Sequence, residues 1–140
     1  MQVLDLKEGI SLRVSSVLNR DVKQFGKKHL IDDDDETCWN SDQGTPQWIQ
    51  VDFPGLVSLQ EVHLQFQGGF VGKDCYIEGT LNGITSRLLE FYPEDINSNQ
   101  VFQISCSDRV SSIKIVFSSS TDFFGRIILY KLNMFGTKIS

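Results

Sequence analysis

The sequence predicts an all-β domain, and three observations carry that reading. Apolar residues recur at alternate positions in short runs, as strands with one buried face require. Glycine and proline punctuate the gaps between the runs. Helical periodicity is scarce throughout.

The runs follow in order. Ile10, Leu12 and Val14 alternate with Ser11 and Arg13, and Ile49, Val51 and Phe53 with Gln50 and Asp52. Val62, Leu64 and Phe66 alternate with Glu61, His63 and Gln65, and Phe102, Ile104 and Cys106 with Gln103 and Ser105. Ile113, Ile115 and Phe117 come next, then Ile128, Tyr130, Leu132 and Met134. Breaks fall at Gly44, Pro46, Pro54-Gly55, Gly68-Gly69, Gly72, Asn82-Gly83, Pro93 and Gly125. Asn82-Gly83 signals a tight turn between strands at 75–80 and 87–92. Short strands with one apolar face suit a sandwich that is wet outside. No linker or internal repeat appears, and Ser118-Ser119-Ser120 reads as a loop. The 140 residues are therefore expected to form one domain, 1–140, long enough to bury its own core.

Composition narrows the function. The net charge of −5 disfavours a broad phosphate-binding surface, and no nucleic-acid partner is expected. Arg20, Lys23, Lys27 and Lys28 cluster, but the acidic run that follows offsets them. No apolar run approaches the roughly 20 residues of a membrane span. The opening Met1-Gln2-Val3-Leu4-Asp5-Leu6-Lys7-Glu8 lacks the pattern of a signal peptide. Cys38, Cys75 and Cys106 are odd in number and widely spaced. That fits reduced thiols in a cytosolic or nuclear protein better than a disulfide framework. No CxxC pair occurs, and His29 and His63 are isolated, which argues against zinc. His63 alternates with inward residues and is expected on the wet face. His29, beside two lysines, is expected to be solvated.

Asp32, Asp33, Asp34, Asp35 and Glu36, closed by Thr37, Cys38 and Trp39, are the most distinctive local feature. Two readings of this run stand. One is a solvated turn in which an Asp side chain caps the backbone. The other is a site for a hard cation such as Ca²⁺, which takes about 6–8 oxygen ligands. It is not an EF-hand. Counting from Asp32, the sixth position is Thr37 rather than Gly and the twelfth is Gln43 rather than Glu.

The stretch from Leu30 through Asp32, Asp34, Thr37, Trp39 and Ser41, followed by Gln47-Trp48-Ile49-Gln50-Val51-Asp52-Phe53, resembles the discoidin, or coagulation-factor type C, signature. Val14-Ser15-Ser16 resembles that family's first strand, and Asn133-Met134-Phe135-Gly136 its closing motif. The likeness covers about residues 10–136. It implies a galactose-binding-like jelly-roll β-sandwich, with Trp39 and Trp48 as packing residues whose indole N–H groups are satisfied. It also implies a structural Ca²⁺ at Asp32, Asp34, Thr37 and Asn133, although Asp33 replaces the family's glycine and Asn133 its glutamate. Three loops at one end of the barrel, here 19–28, 67–74 and 118–126, would form the recognition surface. The partner-binding residues there would be Phe25, Phe70, Val71, Asp122, Phe123, Phe124 and Arg126.

Further blocks carry a narrower likeness. Gln24-Phe25-Gly26-Lys27-Lys28-His29-Leu30, Gln65-Phe66-Gln67-Gly68-Gly69-Phe70, Phe91-Tyr92-Pro93-Glu94-Asp95 and Thr121-Asp122-Phe123-Phe124-Gly125-Arg126 resemble vertebrate proteins associated with an orphan nuclear receptor. That likeness implies a non-catalytic adaptor of the nucleus or cytoplasm. It would bind an orphan nuclear receptor and repress the transcription that receptor drives. The competing expectation is a lectin-like module with structural calcium, in which an aromatic and Arg126 hold a sugar. An enzyme is not expected: the chain has no nucleophile elbow, no HExxH and no phosphate-cradling glycine loop.

Overall fold

The computed structural model of the chain describes residues 1–105 and 108–139. Its described strands are β1 (Gln2–Val3), β2 (Ser11–Val14), β3 (Trp39–Asn40), β4 (Gln47–Phe66), β5 (Cys75–Leu81), β6 (Ile84–Phe91), β7 (Asn99–Gln103), β8 (Arg109–Phe117) and β9 (Ile128–Lys138). Among the described residues these strands pair antiparallel.

β4 joins two layers. Its first half lies between β2 and β8, with Ile49 facing both Val14 and Ile115. Its second half lies between β9 and β7, with Leu64 facing both Leu132 and Gln100. One layer therefore runs β2-β4-β8-β5-β6. The other runs β1-β9-β4-β7, with β3 also on β9. The fold is the expected all-β, galactose-binding-like jelly-roll sandwich.

The core is the seam between the layers. Ile49, Val51, Ile77, Ile113, Ile115 and Phe117 come from the first, and Val62, Leu64, Phe66, Leu132 and Met134 from the second. Phe66 meets Phe117 edge-on at 5.7 Å, and Trp39 lies 6.4 Å from the same ring. Burying side chains of this size favours folding by about 1.5–3 kcal/mol each. Trp39 is fully buried, and its indole N–H donates to the Ser16 carbonyl at 2.9 Å. Trp48 departs from expectation. It is only half-buried, on the opposite face from Ile49, with the Lys114 ammonium 4.7 Å over its ring.

Two bulges reset the alternation. Leu59 faces Gly136 and Glu61 faces Phe135, so Gln60 has no opposite number on β9. The buried phase thus passes from Val57 and Leu59 to Val62, Leu64 and Phe66. On β9 the extra residue is Tyr130, between Leu129 opposite Phe66 and Lys131 opposite Gln65. Tyr130 therefore leaves the inward row and donates its hydroxyl to Gln67 Oε1 at 2.9 Å. Pro54-Gly55 is not a turn between strands. It sits inside β4, where the register breaks between Asp52 and Val57 as the strand passes from layer to layer.

The β5–β6 hairpin forms at Asn82-Gly83, with φ of 51° and 79°, as a type I′ turn requires. β7 ends at Gln103, one residue before buried Ile104. The strand expectation at Cys106 lies outside the described residues. Among the described residues, no helix is long and apolar enough to cross a membrane.

Candidate functional site

Loops 67–74 and 118–126 are stitched together along their length. Thr121 N–H donates to the Val71 carbonyl at 2.8 Å, and Val71 N–H to Thr121 Oγ1 at 3.0 Å. Lys73 N–H donates to the Ser119 carbonyl at 3.0 Å, and Ser118 N–H to that of Asp74 at 2.8 Å. Val71 corrects the expected binding set. Its side chain is fully buried, so it anchors the loop pair and cannot present itself to a partner.

The tip of the second loop is a built turn. Gly125 N–H donates to the Asp122 carbonyl at 3.0 Å. Asp122 Oδ2 accepts from the Arg126 backbone N–H at 3.1 Å and from its Nε–H at 3.3 Å. The Arg126 guanidinium lies 4.8 Å from the centre of the Phe70 ring. Ser120 closes the base, donating to the Arg126 carbonyl at 2.7 Å and accepting from Asp122 N–H at 3.0 Å. Phe70, Asp122 and Arg126 thus form one unit. Above it Phe123 is 93 % exposed and Phe124 56 %, with their rings perpendicular at 5.3 Å. Neither phenylalanine folds inward as a plug.

Phe25 is not part of this unit. The segment 19–28 opens with left-handed Asn19 and Arg20, at φ of 54° and 57°, and continues through α1 (Val22–Phe25) into a 3₁₀ turn that begins at Lys27. Asp21 caps α1 by accepting from Gln24 N–H at 3.1 Å. Phe25 is half-buried, and among the described residues no ring contact joins it to Phe70, Phe123 or Phe124.

The segment 41–47, absent from the expected site, supports the turn instead. Gly44 N–H donates to the Phe124 carbonyl at 2.7 Å, and Ser41 N–H to that of Ile127 at 2.9 Å. Ile127 N–H returns a bond to Ser41 Oγ at 2.8 Å. Gln47 fixes the segment from beneath. Its Oε1 accepts from Ser15 Oγ at 2.5 Å and Ser16 Oγ at 2.7 Å. Its Nε2 donates to the carbonyls of Asp42 at 3.1 Å and Gly44 at 2.8 Å. The sequence held a signal: Gln47 occupies the inward phase of the Ile49–Val51 alternation, where a polar residue must find partners. On the other flank, Gly68 and Gly69 donate their N–H groups to Asn97 Oδ1 and Asp95 Oδ1, both at 2.7 Å.

The acidic run is a capped turn in which Asp32, Asp33 and Asp35 each meet a basic side chain. Asp32 Oδ2 accepts from Thr37 Oγ1 at 2.7 Å and pairs with His29 Nδ1 at 2.8 Å, and Asp32 Oδ1 accepts from Asp34 N–H at 3.1 Å. Asp34 Oδ1 accepts from Glu36 N–H at 2.9 Å. Burial raises the Asp32 pKa, but the hydrogen bonds from Thr37, His29 and the Asp34 amide, with the His29 charge, bring it below the ordinary carboxylate value. His29 is a correction. It is buried rather than solvated, and its Nε2 lies 2.9 Å from the Lys23 carbonyl. Lys7 pairs with Asp33 at 3.1 Å and Lys131 with Asp35 at 2.5 Å. Asp33, at the family's glycine position, takes the left-handed φ of 57°.

A bound Ca²⁺ would draw on the oxygens of Asp32, Asp34, Thr37 and Asn133. In this arrangement the Thr37 hydroxyl donates to Asp32, which also pairs with His29. Asn133 sits on β9 opposite His63, with no hydrogen bond to the run among the described residues. Cys38 and Cys75 are free thiols. Burial pushes both upward in pKa, joined for Cys75 by the Asp74 charge, which makes them poor nucleophiles.

Comparison with known proteins agrees with this architecture. The F5/8 type C family model described as NedA-like, galactose-binding domain matches residues 29–116. The nuclear receptor 2C2-associated protein of Danio rerio is 59 % identical over 127 residues, covering 90 % of each chain. The Homo sapiens protein of that name is 48 % identical over 128 residues, covering 91 % of each. Among solved structures, an F5/8 type C domain from Bacteroides fragilis superposes with a TM-score of 0.83 at 15 % identity, covering 99 % of this chain and 97 % of that one. The family 32 CBM from C. perfringens NanJ, solved in complex with galactose, gives 0.79 at 16 % identity, covering 95 % and 97 %. At such identities these structures speak for the fold alone. The chain belongs to the F5/8 type C, NedA-like galactose-binding domain family and, within it, to the family of nuclear receptor 2C2-associated proteins.

Proposed function

We propose that this chain is a non-catalytic adaptor that binds nuclear receptor 2C2 through the turn at Phe123–Phe124 and represses the transcription which that receptor drives. The observation that carries the reading is the pair of exposed phenylalanines on a turn held by Asp122, Arg126, Ser120 and Gly44. Rigid aromatics held out into solvent lose little entropy on docking, and residues of this kind dominate binding energy at interfaces. The names of the relatives supply the partner, and the family supplies binding rather than catalysis. The compartment this reading requires is the nucleus or the cytoplasm.

The test is binding of purified nuclear receptor 2C2 to the wild-type chain and to Phe123→Ala/Phe124→Ala, with a receptor-driven reporter alongside. Loss of both aromatics should weaken binding about 30-fold or more, in line with 2 kcal/mol or more for a hot-spot pair. It should also relieve repression. Unchanged affinity would remove the turn from the interface. Binding to a glycan array that Arg126→Ala abolishes would instead favour the sugar-binding reading.

A further inference from the structure

We infer that Arg126 is a preset carboxylate receptor, and that the partner segment docking on this turn carries an Asp or Glu side chain beside its apolar contact. The inference rests on the binding role proposed for the turn and names the chemistry it selects.

Arginine offers five N–H donors in a planar fork. Here the Nε edge is committed, with Nε–H on Asp122 Oδ2 at 3.3 Å. The guanidinium carbon stands over the Phe70 ring, 4.8 Å from its centre. The two terminal nitrogens have no hydrogen-bond partner among the described residues, and the side chain keeps 27 % of its surface exposed. The orientation is therefore fixed by one bond and one ring while the outer donors stay vacant. A free arginine on a flexible stem would have to lose several rotamers to bind an anion, and this one has already lost them.

The occupant follows from geometry and charge. Parallel N–H groups on a planar fork match the two oxygens of a carboxylate. The surroundings oppose a polyanion: the net charge is −5, and Asp122 lies beside the guanidinium. One carboxylate on an otherwise apolar segment satisfies both limits. Its neighbours on the segment would cover Phe123 and Phe124, which stand on the same turn. Closing the aromatics over the ion pair would exclude water and strengthen it.

The probe is purified nuclear receptor 2C2, titrated against four versions of the whole chain. These are wild type, Arg126→Gln, Arg126→Lys and Phe123→Ala/Phe124→Ala, each with its melting temperature as a folding control. Arg126→Gln should weaken binding about 10-fold or more and flatten its salt dependence. Arg126→Lys keeps the charge and loses the fork, so it should fall close to Arg126→Gln. Arg126→Lys binding like wild type would overturn the fork. Arg126→Gln binding like wild type while the double phenylalanine variant fails would overturn the carboxylate receptor and leave the aromatic turn standing. If all three variants bind as wild type, both ideas fall.

Discussion

The Gly44 amide hydrogen is donated to the Phe124 carbonyl oxygen at 2.7 Å, and this bond joins two loops that lie 80 residues apart in sequence. It ties the exposed aromatic turn to a segment that Gln47 holds from below. The orientation of Phe123 and Phe124 therefore depends on Gln47, which is itself buried.

Gln47→Leu is the first consequence. It takes one partner from each of the hydroxyls of Ser15 and Ser16 and the carbonyls of Asp42 and Gly44. The cost should be about 2–3 kcal/mol, from four modest bonds lost, although Ser15 Oγ, Ser16 Oγ and the Asp42 carbonyl keep bonds to Trp48 N–H, Asp42 N–H and Ser41 Oγ. Chemical denaturation measures that loss. Amide exchange at Gly44 should quicken in the same variant.

Gly125→Ala should perturb the same turn from the other side. Its φ is +84°, and an added Cβ would lie 2.9 Å from the carbonyl carbon and oxygen of Gly44. Positive φ alone costs an L-residue about 1 kcal/mol, and the backbone collision adds to it. A lower melting temperature and weaker receptor binding are expected together.

Asp32 links the acidic turn to stability at low pH. Its folded pKa is lowered from the ordinary 3.8, so the unfolded chain takes up the proton first as pH falls. The stabilisation is thus fully present above pH 3.8 and is lost as pH drops below that through the folded value. Asp32→Asn should melt below wild type at neutral pH. That gap should narrow below about pH 4, the ordinary carboxylate range, which thermal melts across pH will read.

Calcium should change little. Lys7 and Lys131 answer the charge of Asp33 and Asp35, and His29 and Thr37 hold Asp32. Adding a chelator, or millimolar Ca²⁺, should leave the melting temperature where it was. A rise with Ca²⁺ would mean that these side chains rearrange around the ion.

Much of this architecture is legible in the residues, and the rest is not, for physical reasons. Alternation locates the cores of β2, β4 and β8, because a strand with one buried face writes its period directly. Asn82-Gly83 announces its hairpin, because both residues tolerate positive φ. Alternation misleads at Tyr130 and across Gln60, because a bulge shifts the phase without marking the sequence. Pro54-Gly55 reads as a turn, yet it marks the place where one strand changes layers. In the site, Phe123 and Phe124 are legible as aromatics outside any strand. Val71 differs because the pairing of its loop with Thr121 turns it inward. His29 looks solvated beside its lysines, but its two ring nitrogens find partners at Asp32 and Lys23 that only folding brings near. The role of 41–47 is long-range, and its one local sign is the polar Gln47 at an inward position of the β4 alternation.

The most direct measurement is amide hydrogen exchange of the whole chain with and without saturating nuclear receptor 2C2. Exchange should slow at 41–45, 68–73 and 119–126, with β6 and β7 unchanged. Protection confined to β6 or β7, with the Phe123–Phe124 turn exchanging as freely as before, would contradict it.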